Sequence, residues 1–188
     1  MKPGIRVLGI DDSPFQRNDK TALVIGVVCR KDGSIESQSL IVEGVLSIHV
    51  LIDGDDGTEK LCEMVLRSRF KTELSAIMLN GIMLAGFNVV DIAELNKKTG
   101  VPAIALTRKK PDMPAVEKAV RKTRNWEEKL LRITSAGSSK QLEGWNAQVS
   151  GTDLNGARDI IRIFGNGPVR LAHLIASGVI RGESKGRA

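Results

Sequence analysis

Ile5-Arg6-Val7-Leu8-Gly9-Ile10-Asp11-Asp12-Ser13-Pro14-Phe15 decides how the chain is read. Val7, Leu8 and Ile10 are apolar on both faces of an extended backbone, the pattern of a strand covered from both sides. Two carboxylates follow at once, and an unpaired carboxylate in a dry core is far too costly. Asp11 and Asp12 therefore belong where the strand emerges at the edge of a sheet. Pro14 stops the strand and biases Ser13 toward an extended conformation. Acids delivered by a central strand to a sheet edge are one way to build a divalent-metal site; a polar turn is the other reading of the pair. Side chains alternate along a strand, so Asp11 and Asp12 cannot both face one site unless the strand bends.

With 188 residues, the chain is long enough for one domain with a real core and short for two, so a single domain over 1–188 is expected. No apolar run is long enough to cross a bilayer, and Met1-Lys2-Pro3-Gly4 leads into the first strand without the apolar stretch of a signal peptide. Cys29 and Cys62 lack close-spaced partners, which argues against zinc or redox motifs and for a reduced, cytoplasmic setting. The net charge of +6 favours an anionic partner, nucleic acid first. Aromatic residues make up only 3% of the chain, with no tyrosine, which counts against base-stacking platforms and leaves binding through backbone phosphates.

Thr21–Arg30 reads as a second strand, and the Asp32-Gly33 turn leads into a return strand over roughly Ile35–Ile52, with Gly44 marking a bulge or a close approach. A helix over Thr58–Arg69 follows, with Asp56 or Thr58 placed to cap it. Ser75–Leu79 is a buried strand ending at Asn80-Gly81. A helix over Asn88–Lys98, capped by Asn88 and ended by Gly100, leads to a strand at Val101–Leu106. Helices are expected at Pro114–Lys122, Trp126–Leu131, Asp153–Ile163 and Pro168–Gly178. Thr134–Gly151 gives no clear pattern beyond a short strand or an excursion packing Trp145. Three antiparallel strands followed by strands alternating with helices predict an α/β fold, a mixed sheet flanked by helices.

Two-metal phosphodiester cleavage needs carboxylates converging from different elements. Asp11, Asp12, Asp53, Asp55, Asp56 and Asp91 are the candidates. Asp53–Asp56 also reads as a solvated turn with a helix cap, and Asp91 as an acid in the first turn of a helix. His49 reads as structural, and His173, among Leu171, Leu174 and Ile175, as a packed histidine. Arg108-Lys109-Lys110 and the tail over Arg181–Arg187 read either as phosphate contacts or as solvated basic segments.

Gly9-Ile10-Asp11 with Ser13 and Phe15 resembles the first metal-binding strand of endonuclease V. Leu79-Asn80-Gly81 resembles that family's second, Asp-Gly, motif. Pro168-Val169-Arg170-Leu171-Ala172-His173 is similar to its late Pro-x-Arg-Leu-Ala-His helix, and Arg181 to a basic residue that follows. Closer still is endonuclease dU, an archaeal family of small proteins related to endonuclease V. That likeness lies in Gly9-Ile10-Asp11-Asp12, in Ala85-Gly86-Phe87-Asn88-Val89-Val90-Asp91-Ile92, and in His173-Leu174-Ile175-Ala176-Ser177-Gly178 through Arg181-Gly182-Glu183. It covers essentially the whole chain. It implies a ribonuclease-H-like fold and Mg²⁺- or Mn²⁺-dependent nicking of DNA near deaminated bases such as deoxyuridine. In such a fold the first and fourth strands lie side by side, so Asp11 and Asn80 are expected to meet. The resemblance makes Asp11, Asn80 and His173 the expected catalytic residues, with Asp12, Ser13 and Asp91 as supporting neighbours. Asp11 and Asn80, with Asp53 or Asp55, become the expected metal ligands. Arg170 and Arg181 join Arg108, Lys109 and Lys110 as expected nucleic-acid contacts.

The departures from endonuclease V are specific. Asn80 stands where the second metal-binding aspartate belongs, and its amide lacks the charge that holds an ion. Ile41 and Glu43 replace the tyrosine and proline of the base-probing wedge, and Val50 stands at the glutamate position after Gly44, which leaves Asp53, Asp55 or no residue as the third carboxylate. Gly86 replaces a histidine. Asn80-Gly81 is also the dipeptide most prone to deamidation, and conversion of Asn80 to aspartate by heat or ageing would restore the acid. Two other functional classes stay open: a nucleic-acid-binding protein that kept the fold without the chemistry, and a protein-interaction scaffold.

Overall fold

Strands β1 (Ile5–Asp12), β2 (Thr21–Lys31) and β3 (Ile41–Leu51) form an antiparallel meander. The computed structural model describes residues 4–16, 18–31 and 39–184; the expected Asp32-Gly33-Ser34 turn, the start of the return strand at Ile35–Gln38, and tail residues Lys185 and Arg187 lie outside them. Helix α1 (Gly57–Arg67) crosses over to β4 (Leu74–Asn80), which lies parallel beside β1. A small hairpin of β5 (Met83–Leu84) and β6 (Asn88–Val89) precedes α2 (Ile92–Thr99), and β7 (Ala103–Thr107) then lies parallel to β4. Helices α3 (Met113–Val120) and α4 (Trp126–Ser135) lead to a second hairpin, β8 (Lys140–Leu142) and β9 (Trp145–Ser150). Helices α5 (Leu154–Phe164) and α6 (Gly167–Arg181) follow.

The sheet order is β3-β2-β1-β4-β7-β9-β8, the mixed sheet expected from the order of elements, with β1 beside β4 as the ribonuclease-H-like resemblance implies. Thr134–Gly151, opaque in sequence, supplies the end of α4 and the β8–β9 hairpin, which extends the sheet antiparallel to β7. β1 is covered on both faces, as its unbroken apolar run requires. Leu8 and Ile10 pack with Ile77, Leu79, Leu61, Leu95 and Ile133 on the α1, α2 and α4 side. Val7 packs with Met78, Ile104, Ile161, Val169 and Ala172 on the α5 and α6 side.

Two helix starts differ from expectation. α2 begins at Ile92 because the Asp91 carboxylate, not Asn88, accepts the free amide hydrogens of Ala93 and Glu94, a standard N-cap. Asn88 is fully buried and instead accepts from Gly57 N–H while donating to the Leu51 carbonyl and Asp56. Asp56 is the N-cap residue of α1, one of the two expected candidates, but without a side-chain cap bond: its carboxylate accepts from Leu51 N–H and Asn88, and Thr58 Oγ1 accepts from Asp91 N–H. Gly44 meets both expectations: the β2–β3 register shifts beside it, and a Cβ there would sit 2.7 Å from the Phe70 ring.

α6 is seated on β1 through Gly9, where a Cβ would strike the carbonyl group of Pro168. That contact fixes the height of the helix along the strand, and with it His173. Gly9→Ala is expected to lower stability by about 1–3 kcal/mol through overpacking, read as a reduced urea midpoint with an unchanged slope; an unaltered midpoint would show that α6 has room to shift.

Candidate active site

Ile10 and Leu79 are the last paired residues of the parallel β1–β4 ladder. The next residue on each strand, Asp11 and Asn80, lies just past that ladder while still paired on its far side with Ile25 and Leu106, so the two stand at the same level. Asn80 Nδ2 lies 3.4 and 3.5 Å from the two carboxylate oxygens of Asp11. From above, α6 brings His173 Nδ1 to 3.0 Å from Asp11 Oδ2. Asp11 is only 3% exposed. Burial first, then the neighbouring charge of Asp12, pushes its carboxyl up to about 6, against the opposing pull of His173 and Asn80.

The Asp12 carboxylate interacts with that of Asp11 and bonds the backbone on its other side. Its Oδ2 accepts from Ala85 N–H at 3.0 Å, and burial raises its carboxyl above the ordinary range despite that bond. Ser13 continues the ladder by one residue: its N–H donates to the Leu23 carbonyl at 2.7 Å and its Oγ accepts from Leu23 N–H at 3.1 Å. Ser13 thus fixes how the chain leaves the site.

The other acids bond elsewhere. Asp53 Oδ1 accepts from Phe87 N–H at 2.8 Å, and its own N–H donates to the Ala85 carbonyl at 2.9 Å. Ala85 thus joins Asp12 to the Asp53 loop. Gly86, standing where endonuclease V carries a histidine, has a left-handed φ of 83°, and a Cβ there would strike Asp53 Oδ1. That packing accounts for the departure. Asp55 Oδ2 accepts from Asn125 Nδ2 at 2.6 Å, and its Oδ1 lies 3.7 Å from Lys129 Nζ. Asp91 caps α2. Among the described residues, no three or more His, Cys, Asp or Glu side chains are placed to share an ion.

Lys129 is a residue whose chemistry conceals its position. It is 0% exposed, and its Nζ donates to the Asp53 carbonyl at 2.6 Å and to Thr123 Oγ1 at 3.3 Å. Its spacing is the available signal: Trp126, Lys129, Leu130 and Ile133 form one stripe of an amphipathic helix.

Arg108, Lys109 and Lys110 follow β7 and are exposed, with the Arg108 guanidinium 5.7 Å from the centre of the Trp145 ring. Arg170, exposed on α6, lies one turn before His173, and Arg181 is exposed in the last turn. Beside Asn80 a cavity of about 490 Å³ opens between Gly81, Lys110, Met113, Ile133 and Gln148.

A model of the endonuclease dU family matches residues 3–180. The chain belongs to the endonuclease dU family. A relative from Methanothermobacter thermautotrophicus, named UPF0215 protein, is 40% identical over 198 residues, covering 100% of this chain and 94% of its own length. The crystal structure of a protein of unknown function from Archaeoglobus fulgidus superposes with a TM-score of 0.83 at 36% identity, covering 93% of this chain and 98% of that one. Human ENDOV matches with a TM-score of 0.59 at 17% identity, covering 95% of this chain and 85% of its own. Endonuclease V of Ciona intestinalis, solved with a 24mer DNA containing an inosine followed by a ribo-adenosine, matches at 0.53 and 12% identity, covering 90% and 83%. At these identities the likeness to endonuclease V is one of fold.

Mg²⁺ takes hard oxygen ligands, commonly one or two carboxylates completed by waters and substrate phosphates. In this endonuclease dU chain the Asp11 carboxylate and the Asn80 amide oxygen are such donors at adjacent strand ends. They fit one weakly held ion. They do not make a pair of sites, because among the described residues no three His, Cys, Asp or Glu side chains are placed to share an ion. The deamidation route for Asn80 is also hindered: the Gly81 nitrogen that would attack its side chain donates to the Leu106 carbonyl at 2.9 Å.

The Asp11 carboxyl titrates near 3.8 when unperturbed and near about 6 when folded, so the folded state holds the extra proton. The stability this supplies is complete below the lower value and is lost as pH rises through the upper one. In chelator, Asp11→Asn is therefore expected to gain stability relative to the parent from about pH 4 to 7, by up to roughly 3 kcal/mol. Urea midpoints across that range measure it, and a difference independent of pH would refute the burial account.

Proposed function

We propose that the protein is a metal-dependent endonuclease that hydrolyses a DNA phosphodiester beside a deaminated base, deoxyuridine being the expected case. The observation that carries this reading is the convergence of Asp11, Asn80 and His173 from β1, β4 and α6 on one point. The family assignment and the fold shared with a DNA-bound endonuclease V support it.

The roles follow from the chemistry of the side chains. Asp11, accepting from His173 Nδ1–H, fixes that tautomer and leaves Nε2 to take a proton from water or return one to the leaving oxygen. Asn80 holds both oxygens of Asp11 and orients the carboxylate without repelling it. A divalent ion bound there would polarise the phosphate and make the attacking water more acidic. Arg108, Lys109, Lys110, Arg170 and Arg181 hold the phosphate backbone in this reading. The cavity beside Asn80 has Thr134, Ser138, Ser139 and Gln148 on largely apolar walls, suiting a base turned out of the stack.

A second reading, a nucleic-acid-binding protein without turnover, is favoured by one observation: a neutral amide sits beside Asp11 where a second charge is expected.

An end-labelled oligonucleotide with one deoxyuridine, incubated with Mg²⁺ or Mn²⁺, separates the two. Nicking should require the metal, vanish in Asp11→Ala, fall about 10²–10⁴-fold in His173→Ala, and rise in Asn80→Asp. Failure of both the parent and Asn80→Asp to nick under varied metals would sink the catalytic reading. In either case, replacing Arg108, Lys109 and Lys110 by alanine should flatten the salt dependence of binding by about 1 log unit per lost phosphate contact; an unchanged slope would remove them from the interface.

A further inference from the structure

Among the described residues Asp11 is the one buried carboxylate, and its partners are a neutral amide and an imidazole. Asp12 lies against Asp11 and accepts from Ala85 N–H, Asp53 accepts from Phe87 N–H, and Asp55 accepts from Asn125 with Lys129 3.7 Å away. β4 therefore adds no formal charge beside the acids at the end of β1. It also sets a competitor against the ion, because Asn80 Nδ2 lies within 3.5 Å of both Asp11 oxygens. An aspartate at the same position would add a charge and remove the donor. Affinity for hard cations is tuned by the number of charged ligands.

We propose that the divalent cation and the nucleic-acid phosphate bind this site together, each weakly without the other, and that Asn80 imposes the dependence. This deepens the function proposed above and rests on its premise that a phosphodiester reaches Asp11. The phosphate's non-bridging oxygens supply the anionic ligand that β4 lacks. The cation in turn cancels the repulsion between that phosphate and the Asp11 carboxylate. Neither gain exists for one ligand alone. Linkage then requires reciprocity: the phosphate strengthens cation binding by the same factor as the cation strengthens binding of the strand.

Mn²⁺ binding, followed by the loss of its free-ion paramagnetic signal, tests this on the full chain. The titration is run on protein alone, on a deoxyuridine oligonucleotide protected by phosphorothioate linkages, and on the two together. The complex is expected to bind one Mn²⁺ about tenfold or more tightly than either component. Anisotropy of the labelled oligonucleotide should show the matching gain in the presence of Mn²⁺. Asn80→Asp should bind Mn²⁺ without the oligonucleotide and lose most of the coupling, and Asp11→Asn should abolish the added Mn²⁺ site in the complex. Equal Mn²⁺ affinity in protein and complex, or undiminished coupling in Asn80→Asp, overturns the proposal. Coupling without nicking keeps the proposal and removes the catalytic reading. Nicking with Mn²⁺ affinity unaffected by the oligonucleotide does the reverse. An oligonucleotide that does not bind at low salt overturns both.

Discussion

The parallel pairing of β1 with β4 is the constraint on which the rest depends. Its register sets Ile10 against Leu79, so both strands turn polar at one level, and two side chains far apart in sequence become neighbours. Apolar burial enforces that register. A slip by one residue would drive Asp11 or Asn80 into the layer occupied by Leu8, Ile77 and Leu79, where an unpaired polar group costs several kcal/mol. The seat of Pro168 on Gly9 sets the third coordinate. Strand register and helix height together place an imidazole on a carboxylate without any contribution from loop flexibility.

What was legible in sequence follows from that same physics. β1, β2, β4 and β7 are buried on both faces or nearly so, and such runs leave little freedom in how they are read. The meeting of Asp11 with Asn80 followed from the ribonuclease-H-like arrangement that sets the first and fourth strands side by side. His173 at Asp11 needed the family resemblance, because nothing in Leu171–Ile175 reveals which helix face meets β1. The hairpin at Lys140–Ser150 escaped because β8 is three residues long and lies at a sheet edge, where alternation has no room to show. Asn88 and Lys129 escaped for a different reason: both are polar residues in wholly buried positions, made tolerable only by partners distant in the chain. Residue type argues for the surface in each case, and only the tertiary partners reverse it.

The acids divide along similar lines. Burial raises the carboxyls of both Asp11 and Asp12, and Asp11 is the one that meets Asn80 and His173. Asp53, Asp55, Asp56 and Asp91 each satisfy backbone or amide donors and serve the architecture around it. Sequence offers all of them as candidate ligands; only hydrogen bonding separates the acid that meets Asn80 and His173 from those that build the frame.

Lys129 gives that frame a mechanical character. Its ammonium is sealed beneath the loop over Asp53–Asp56, bonded to a carbonyl of that loop and to Thr123. Opening the loop would strand a cation in a dry interior, a far larger penalty than the loss of one hydrogen bond between neutral groups. The floor behind Asp12 and Ala85 is consequently bolted to α4, and it yields only if that helix yields with it. On the opposite rim the basic segment Arg108–Lys110 is tied down at its start, where the buried Asn146 donates to the Arg108 carbonyl, and all three of its side chains are exposed.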